Sequence, residues 1–383
     1  MKPPPSPEVN SQFSKALPTL NQPLHWEMLL LLIYLVLCSG SASLSIRAAD
    51  MSALGVLDCW GACNKFRSSL SSEPEDALLI LARSGFNTVR LRVWVNPLAN
   101  HSEGSLTSVV AMSRRAAAAG LSVWIDFHLS DWWADPAHQT KPAAWLGLSF
   151  SELILAVQSH VYEVLTAVKG SGASVRVVQV GNEISPGCLW PQAGEPCANS
   201  GSVTESCVSN WPALGALVGA GLAVSRERCP GALLAIHTDL GNRGERAAEA
   251  AEFFYSRLDA VLPGGPSQYD AIALSYYLQW NASGPAYEGR LASALQAAFP
   301  SKELLIAETN YAWAGGHPAG VWPASEEGQL EFWRATLGNA SDWTGVSWWG
   351  GEYAGNFESA LFDAQYVALP ALLQGFTPPF SNS

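Results

Sequence analysis

Along the chain, short runs of apolar and β-branched residues alternate with longer stretches in which alanine, leucine and charged residues recur at helical spacing. The runs are Leu44 to Met51, Thr88 to Trp94 (TVRLRVW), Ser122 to His128 (SVWIDFH), Arg176 to Asn182, Leu233 to Asp239 (LLAIHTD), Ala271 to Tyr277, Glu303 to Thr309 (ELLIAET) and Thr344 to Trp349. Each reads as a strand, and the Ala-rich segments between them, such as VVAMSRRAAAAG with Gly120 as its stop, read as helices. This alternation argues for a parallel α/β architecture. Eight strand–helix units fit a single (β/α)8 barrel with enlarged loops, of about 330 residues. The barrel is expected over residues 44–380, behind an N-terminal extension at 1–43.

Composition narrows the classes. With 48% hydrophobic and 14% charged residues the chain can bury a sizeable core. A formal net charge of -12 would repel phosphate backbones, which argues against nucleic acid as a partner. Sixteen tryptophans exceed what packing usually needs, and flat aromatic faces on loops are a common way to hold sugars.

In the extension, Met28 to Cys38 (MLLLLIYLVLC) is followed by the small residues SGSAS. That run is too short to span a bilayer and suits a signal peptide, so the protein is expected to be secreted and to meet a membrane only there. Glu27 beside the run, with Lys2 and Lys15 well upstream, keeps a membrane-anchored form as the alternative. Six cysteines remain after it (Cys59, Cys63, Cys188, Cys197, Cys207 and Cys229), and an even number in a secreted chain suggests disulfides. Zinc is disfavoured because CxxC pairs are missing. Sequons at Asn100, Asn281 and Asn339 are compatible with a glycoprotein.

Polar residues gather where the strands end: Arg90 and Arg92, Asp126 and His128, Asn182 and Glu183, His237 and Asp239, Tyr276 and Tyr277, Glu308, then Trp348 and Trp349. The C-terminal rim of a barrel is where active sites are built. Glu183 and Glu308 form a carboxylic acid and carboxylate pair suited to glycoside hydrolysis. An isolated Glu at a strand end is more often an ion-pair partner. Asn182 favours the chemical reading, because an amide beside the acid can bond a sugar 2-hydroxyl. The side chains of Arg90 and Arg92 share a face, as do those of Asp126 and His128, whereas only one of Tyr276 and Tyr277 can face inward. No nucleotide cofactor is expected, since neither GxGxxG after a strand nor a Walker sequence occurs. No metal is expected either, since Asp126 and His128 lack a convincing third ligand.

Long segments then resemble a known family. VRLRVWVNP (Val89 to Pro97), DFHLSDWWADPAHQTKP (Asp126 to Pro142), QVGNEISPGCLWP (Gln179 to Pro191), LSYYLQW (Leu274 to Trp280) and IAETNYAW (Ile306 to Trp313) are similar to the signature blocks of the endo-β-1,4-galactanases, glycoside hydrolase family 53, and AADMS at Ala48 resembles that family's opening segment. The resemblance implies a retaining hydrolase with Glu183 as acid/base and Glu308 as nucleophile, their carboxyl groups about 5 to 5.5 Å apart. Arg90 or Arg92 would hold Glu308 ionised while Glu183 keeps a raised pKa. Arg90, Arg92, Asp126, His128, Trp133, Asn182, His237, Tyr276, Tyr277 and Trp349 are the implied substrate-binding residues. The implied substrate is a polysaccharide, β-1,4-galactan or pectin side chains, acted on by a monomer. A related β-glycanase and a non-catalytic carbohydrate-binding protein are the alternatives.

Leu129, Leu278 and Gly350-Gly351 depart from the family, which commonly has Tyr, Pro and Glu-Pro there. All three departures are expected on loops that shape subsites, with the diglycine leaving its loop looser and one subsite weaker.

Overall fold

A computed structural model describes residues 44–376 apart from 64, 99–100, 205–209, 281–283, 285, 316–320 and 356. Eight parallel strands close into one barrel: β1 (Ile46–Asp50), β2 (Thr88–Val93), β3 (Ser122–Phe127), β4 (Val175–Val180), β5 (Leu233–Thr238), β6 (Ala271–Ser275), β7 (Glu303–Thr309) and β8 (Gly345–Trp348). Each strand pairs with its neighbours in sequence, and β8 pairs with β1. The helices that follow are α1 (Ala77–Arg83), α2 (Leu106–Ala118), α3 (Phe150–Gly170), α4 (Trp211–Arg228), α5 (Ala247–Asp259), α6 (Ala286–Ala298), α7 (Glu326–Asn339) and α8 (Pro370–Gln374).

Strand parity sorts the side chains into two cores. Along β6, Ala271, Ala273 and Ser275 point into the barrel while Ile272 and Leu274 point out toward the helices. The inward layer is mostly small, with Ala48, Ala235, Ala271, Ala273 and Ala307 packed around Trp124. One indole fills the space those methyl groups leave. Truncating Trp124 to Ala would cost about 3–5 kcal/mol in cavity and transfer terms. The outer layer is the larger, and each fully buried Leu, Ile or Val there contributes about 1.5–3 kcal/mol.

The helices begin where sequence chemistry places caps. Asp76 accepts from Leu78 N at the start of α1, and Ser149 with Glu152 forms a capping box on α3. Helix α2 ends two residues before Gly120, whose φ of +77° is costly for any other residue.

All eight expected strands are present. Most end one or two residues early, so His128, Asn182, Asp239, Tyr276 and Tyr277 stand in the turns beyond the ladders. A two-stranded antiparallel pair, Gly187–Cys188 with Gly201–Ser202, adds structure to the loop after β4 that no sequence run indicated. Cysteine pairing is less complete than an even count suggests. Cys59 bonds Cys63 and Cys197 is in a disulfide, but Cys188 and Cys229 are buried free thiols. Neither needs a partner, because both sit in the apolar core as small hydrophobes. Cys207, Asn100, Asn281 and the apolar run from Met28 to Cys38 lie outside the described residues, while Asn339 is the last residue of α7. No helix among the described residues is long and apolar enough to cross a membrane.

Candidate active site

Arg90 and Arg92 both point inward, yet their surroundings differ. Arg90 is fully buried and lies 2.9 Å from Glu308 Oε1, 2.9 Å from Asp126 Oδ2 and 3.0 Å from Asp50 Oδ2. It also donates to Asn182 Oδ1 at 2.9 Å and to Gln179 Oε1 at 3.3 Å. Burial opposes its charge, but Asp126, Glu308 and Asp50 outweigh that and hold its pKa above the ordinary value. A cation placed among three carboxylates in a dry interior cannot be removed cheaply: breaking one such pair costs about 3–5 kcal/mol. Arg92 instead lies 3.8 Å from the ring centre of Trp133 and 4.8 Å from that of Trp94. It supports the Trp133 indole from beneath by cation–π attraction.

Glu183 owes its place to a strained turn. Gly181 has φ +87° and Glu183 itself φ +49°, a left-handed conformation that costs a residue with a Cβ about 1–2 kcal/mol. Neighbouring bonds hold it there. Ile184 N donates to His237 O at 3.0 Å, and Gln139 Nε2 donates to Asn182 O at 2.9 Å. The turn carries the carboxyl group over the barrel mouth, where Ser275 Oγ meets Glu183 Oε1 at 2.5 Å.

The two glutamates are electrostatically unlike. Burial raises both, and the charge of Glu308 raises Glu183 further, well above the ordinary range. Arg90 and the Tyr277 hydroxyl, 3.0 Å from Glu308 Oε2, act in the opposite sense on Glu308 and limit its rise to about 7. Glu183 contacts no cation among the described residues, so as pH rises Glu308 loses its proton first. An acid and a carboxylate can therefore coexist across one cleft.

That cleft, of about 400 Å³, is lined by Trp133, Asn182, Glu183, Tyr277, Glu308 and Trp349, together with Ala134, Asp135, Gln279, Trp280, Asn310 and Phe357. Trp133 and Trp349 meet edge to face at 6.1 Å, and Trp280 is 64% exposed beside Tyr277. These are broad aromatic faces open to a ligand. The other expected binding residues lie elsewhere. Arg90, Arg92, Asp126, His128 and His237 are buried beneath the cleft and act on its lining. Asp126 accepts from Gln179 Nε2 at 2.6 Å, and His128 Nδ1 accepts from Ala134 N at 2.9 Å. Tyr276 is on the outer face of the barrel, its hydroxyl bonded to Gly284 O at 3.0 Å, because parity turns it away as it turns Tyr277 inward.

Leu129 and Leu278 are buried in the core and do not line the cleft. The diglycine loop is not loose. Gly350 and Gly351 are buried, Leu361 N donates to Gly351 O at 3.0 Å, and Ala53 N donates to Glu352 Oε1 at 2.9 Å.

Gln179, Ser275 and Asp50 were not among the expected site residues. Gln179 is a hub: it touches Arg90, Asp126, Asn182, His237 and the Trp124 indole. The signal was a polar residue at an inward position of an otherwise apolar strand, VVQV, and AAD and ALS end on the same kind of signal.

The model of the family described as Glycosyl hydrolase family 53 matches residues 46–353. A probable arabinogalactan endo-β-1,4-galactanase A from Neosartorya fischeri is 34% identical over 310 residues, covering 78% of this chain and 79% of its own. Among solved structures, a family 53 catalytic domain from Ignisphaera aggregans superposes with a TM-score of 0.73 at 28% identity, covering 88% of this chain and 96% of that one. A fungal β-1,4-galactanase gives 0.75 at 26% identity, covering 86% and 98%. Barrel and sequence agree from β1 to the loop after β8: the chain belongs to glycoside hydrolase family 53.

Proposed function

We propose that this glycoside hydrolase is an endo-β-1,4-galactanase, cutting within β-1,4-galactan or the galactan side chains of pectin with retention of configuration. The observation that carries the reading is the asymmetry between Glu308, clamped by Arg90 and Tyr277, and Glu183, with no cation in contact among the described residues. Family membership and the likeness to galactanases support the substrate.

In the first step Glu308 attacks the anomeric carbon as Glu183 passes its proton to the departing oxygen. Covalent attachment removes the charge of Glu308, and with it the largest neighbouring influence that raised Glu183. Glu183 then takes a proton from water, whose oxygen displaces Glu308. Asn182, at the cleft wall and fixed by Arg90 and by Ala134 O, is the group to bond the sugar 2-hydroxyl. Trp133 and Trp349 offer stacking faces. The N-terminal apolar run supports export, residues 1–43 being an extension ahead of the catalytic barrel, and a monomer is the proposed working form.

The test is a panel of β-linked galactan, glucan, mannan and xylan, with reducing ends counted and the anomer formed at cleavage followed by NMR. Galactan cleaved internally with a β-anomer first is the expected result. Cleavage of another glycan alone would transfer the enzyme to a different β-glycanase, and release of none would favour a binding protein.

A further inference from the structure

Ser275 ends β6, is completely buried, and stands between two groups of the site. Its Oγ is 2.5 Å from Glu183 Oε1 and 3.0 Å from His237 Nε2. A hydroxyl has one hydrogen to give, so its direction depends on His237. Burial, reinforced by Arg90, holds that imidazole neutral with a single N–H. Two donors face its Nδ1, Gln179 Nε2 at 3.0 Å and the backbone N–H of Glu183 at 3.4 Å. The acceptor nearby, Asn182 Oδ1 at 2.9 Å, already takes a hydrogen from Arg90, and of the two hydrogens of Gln179 Nε2 one goes to Asp126 Oδ1 at 2.6 Å and leaves the other for Nδ1. Nδ1 is therefore the acceptor and Nε2 carries the hydrogen. With Nε2–H donated to Ser275 Oγ, the serine hydrogen has one place left to go, Glu183 Oε1.

We propose that Ser275, oriented by His237, is a positioning residue that keeps the catalytic proton of Glu183 on Oε2 and steadies its carboxylate in the second step. The inference rests on Glu183 being the acid/base. Oε1 is occupied by an incoming hydrogen bond, so the acid form must carry its proton on the other oxygen. That proton passes from Oε2 to the leaving oxygen, and the proton from water returns to Oε2; the serine hydrogen stays in place throughout.

The groups facing Glu183 explain why such a brake is needed. Glu308 on β7, Asp239 beyond β5 and Asp135 beyond β3 all add to burial in raising its proton affinity, and the neutral phenol of Tyr277 closes the remaining side. The Ser275 bond acts in the opposite direction. Without it Glu183 stays an acid but ionises less readily, so less of the carboxylate that the second step needs is present.

The test is the pH dependence of kcat/KM, with a pre-steady-state burst on an aryl β-galactobioside, for Ser275→Ala and Glu183→Gln. Loss of one hydrogen bond to a carboxylate should move the alkaline limb of Ser275→Ala upward by about one pH unit. Slower deglycosylation should appear as a burst followed by a steady rate about tenfold lower. A purely structural serine would lower the rate without moving the limb, and that result overturns the proposal. Should Ser275→Ala not fold, Ser275→Cys, similar in shape and a weak donor, must shift the limb the same way or the idea fails. Glu183→Gln separates the two inferences. If it keeps turnover and the alkaline limb, the acid/base assignment is wrong; if it loses both while Ser275→Ala leaves the limb in place, only the role of the serine falls.

Discussion

The hydroxyl of Tyr277 donates to Glu308 Oε2 over 3.0 Å. Burial, with the charges of Glu308 and Glu183, raises the phenol pKa well above its usual value, so this donor keeps its hydrogen throughout the working range. Its removal in Tyr277→Phe leaves one oxygen of the nucleophile without its donor, and the carboxylate should become harder to ionise. The acid limb of kcat/KM is expected to move to higher pH and kcat to fall about 10- to 100-fold, the range of one hydrogen bond to a charged group. Tyr276→Phe, one residue away on the opposite face, is expected to leave the limb in place and lower stability by about 1 kcal/mol, readable as a small drop in Tm.

The carboxylate pair itself predicts a bell-shaped profile. Activity requires Glu308 ionised and Glu183 protonated, so the acid limb should lie between the ordinary 4.5 and about 7, with the alkaline limb above it. A rate that climbs steadily to pH 9 would rule out a carboxylic acid as proton donor.

Chemical rescue assigns the roles. Glu183→Ala should lose most activity on galactan but recover with azide and an activated leaving group, giving a β-galactosyl azide, because Glu308 still forms the covalent intermediate. Glu308→Gln should show no turnover on the same substrate. An α-configured azide product from a Glu308→Gly enzyme would agree; rescue with inversion from Glu183→Ala would exchange the two assignments.

How far the sequence reached depends on the kind of information needed. Hydrophobic runs located every barrel strand, since burial on both faces leaves an unmistakable composition, and the rim polar residues followed from where those runs stop. Parity put Arg90 and Arg92 on one face, yet could not say that one would clamp Glu308 and the other support Trp133. That choice depends on distances across the barrel between β2, β3 and β7. His237 was legible as a rim residue but not as a buried partner of Ser275, which requires the register of β5 against β6. The left-handed turn at Glu183 was invisible for another reason: glutamate carries no signal for positive φ, and tertiary bonds impose it.

The loop after β8 reverses a sequence-level expectation. Gly350 has φ +77°, and a Cβ there would sit 2.8 Å from the Phe357 ring, which itself lines the cleft. Gly350→Glu with Gly351→Pro, attractive as a return to the family pattern, should therefore raise KM rather than lower it. Gly350→Ala isolates the cause: it should cost about 1–2 kcal/mol of stability through backbone strain and displace Phe357 toward Trp349. Kinetics on galactan with a thermal melt for each variant would check both; a lower KM in the double variant would show that the loop repacks freely.

Glu288 on α6 offers a test of stability independent of catalysis. It is completely buried, and neither carboxyl oxygen has a hydrogen-bond partner among the described residues. Burial raises its pKa well above 4.5 in the folded protein, so the folded state holds a neutral acid while the unfolded chain ionises normally. Below pH 4.5 both states are protonated and the group adds no pH dependence to stability. Above it the unfolded state gains by ionising, and folding stability falls by about 1.4 kcal/mol per pH unit until the folded pKa is reached. Glu288→Met, similar in length and without polar atoms to bury or a charge to gain, should already be more stable than the parent by about 1–3 kcal/mol near pH 4 and increasingly so toward neutrality. Urea midpoints at pH 4, 5.5 and 7 would read the difference; a constant gap across the three would mean that Glu288 finds a proton-independent partner in the folded state.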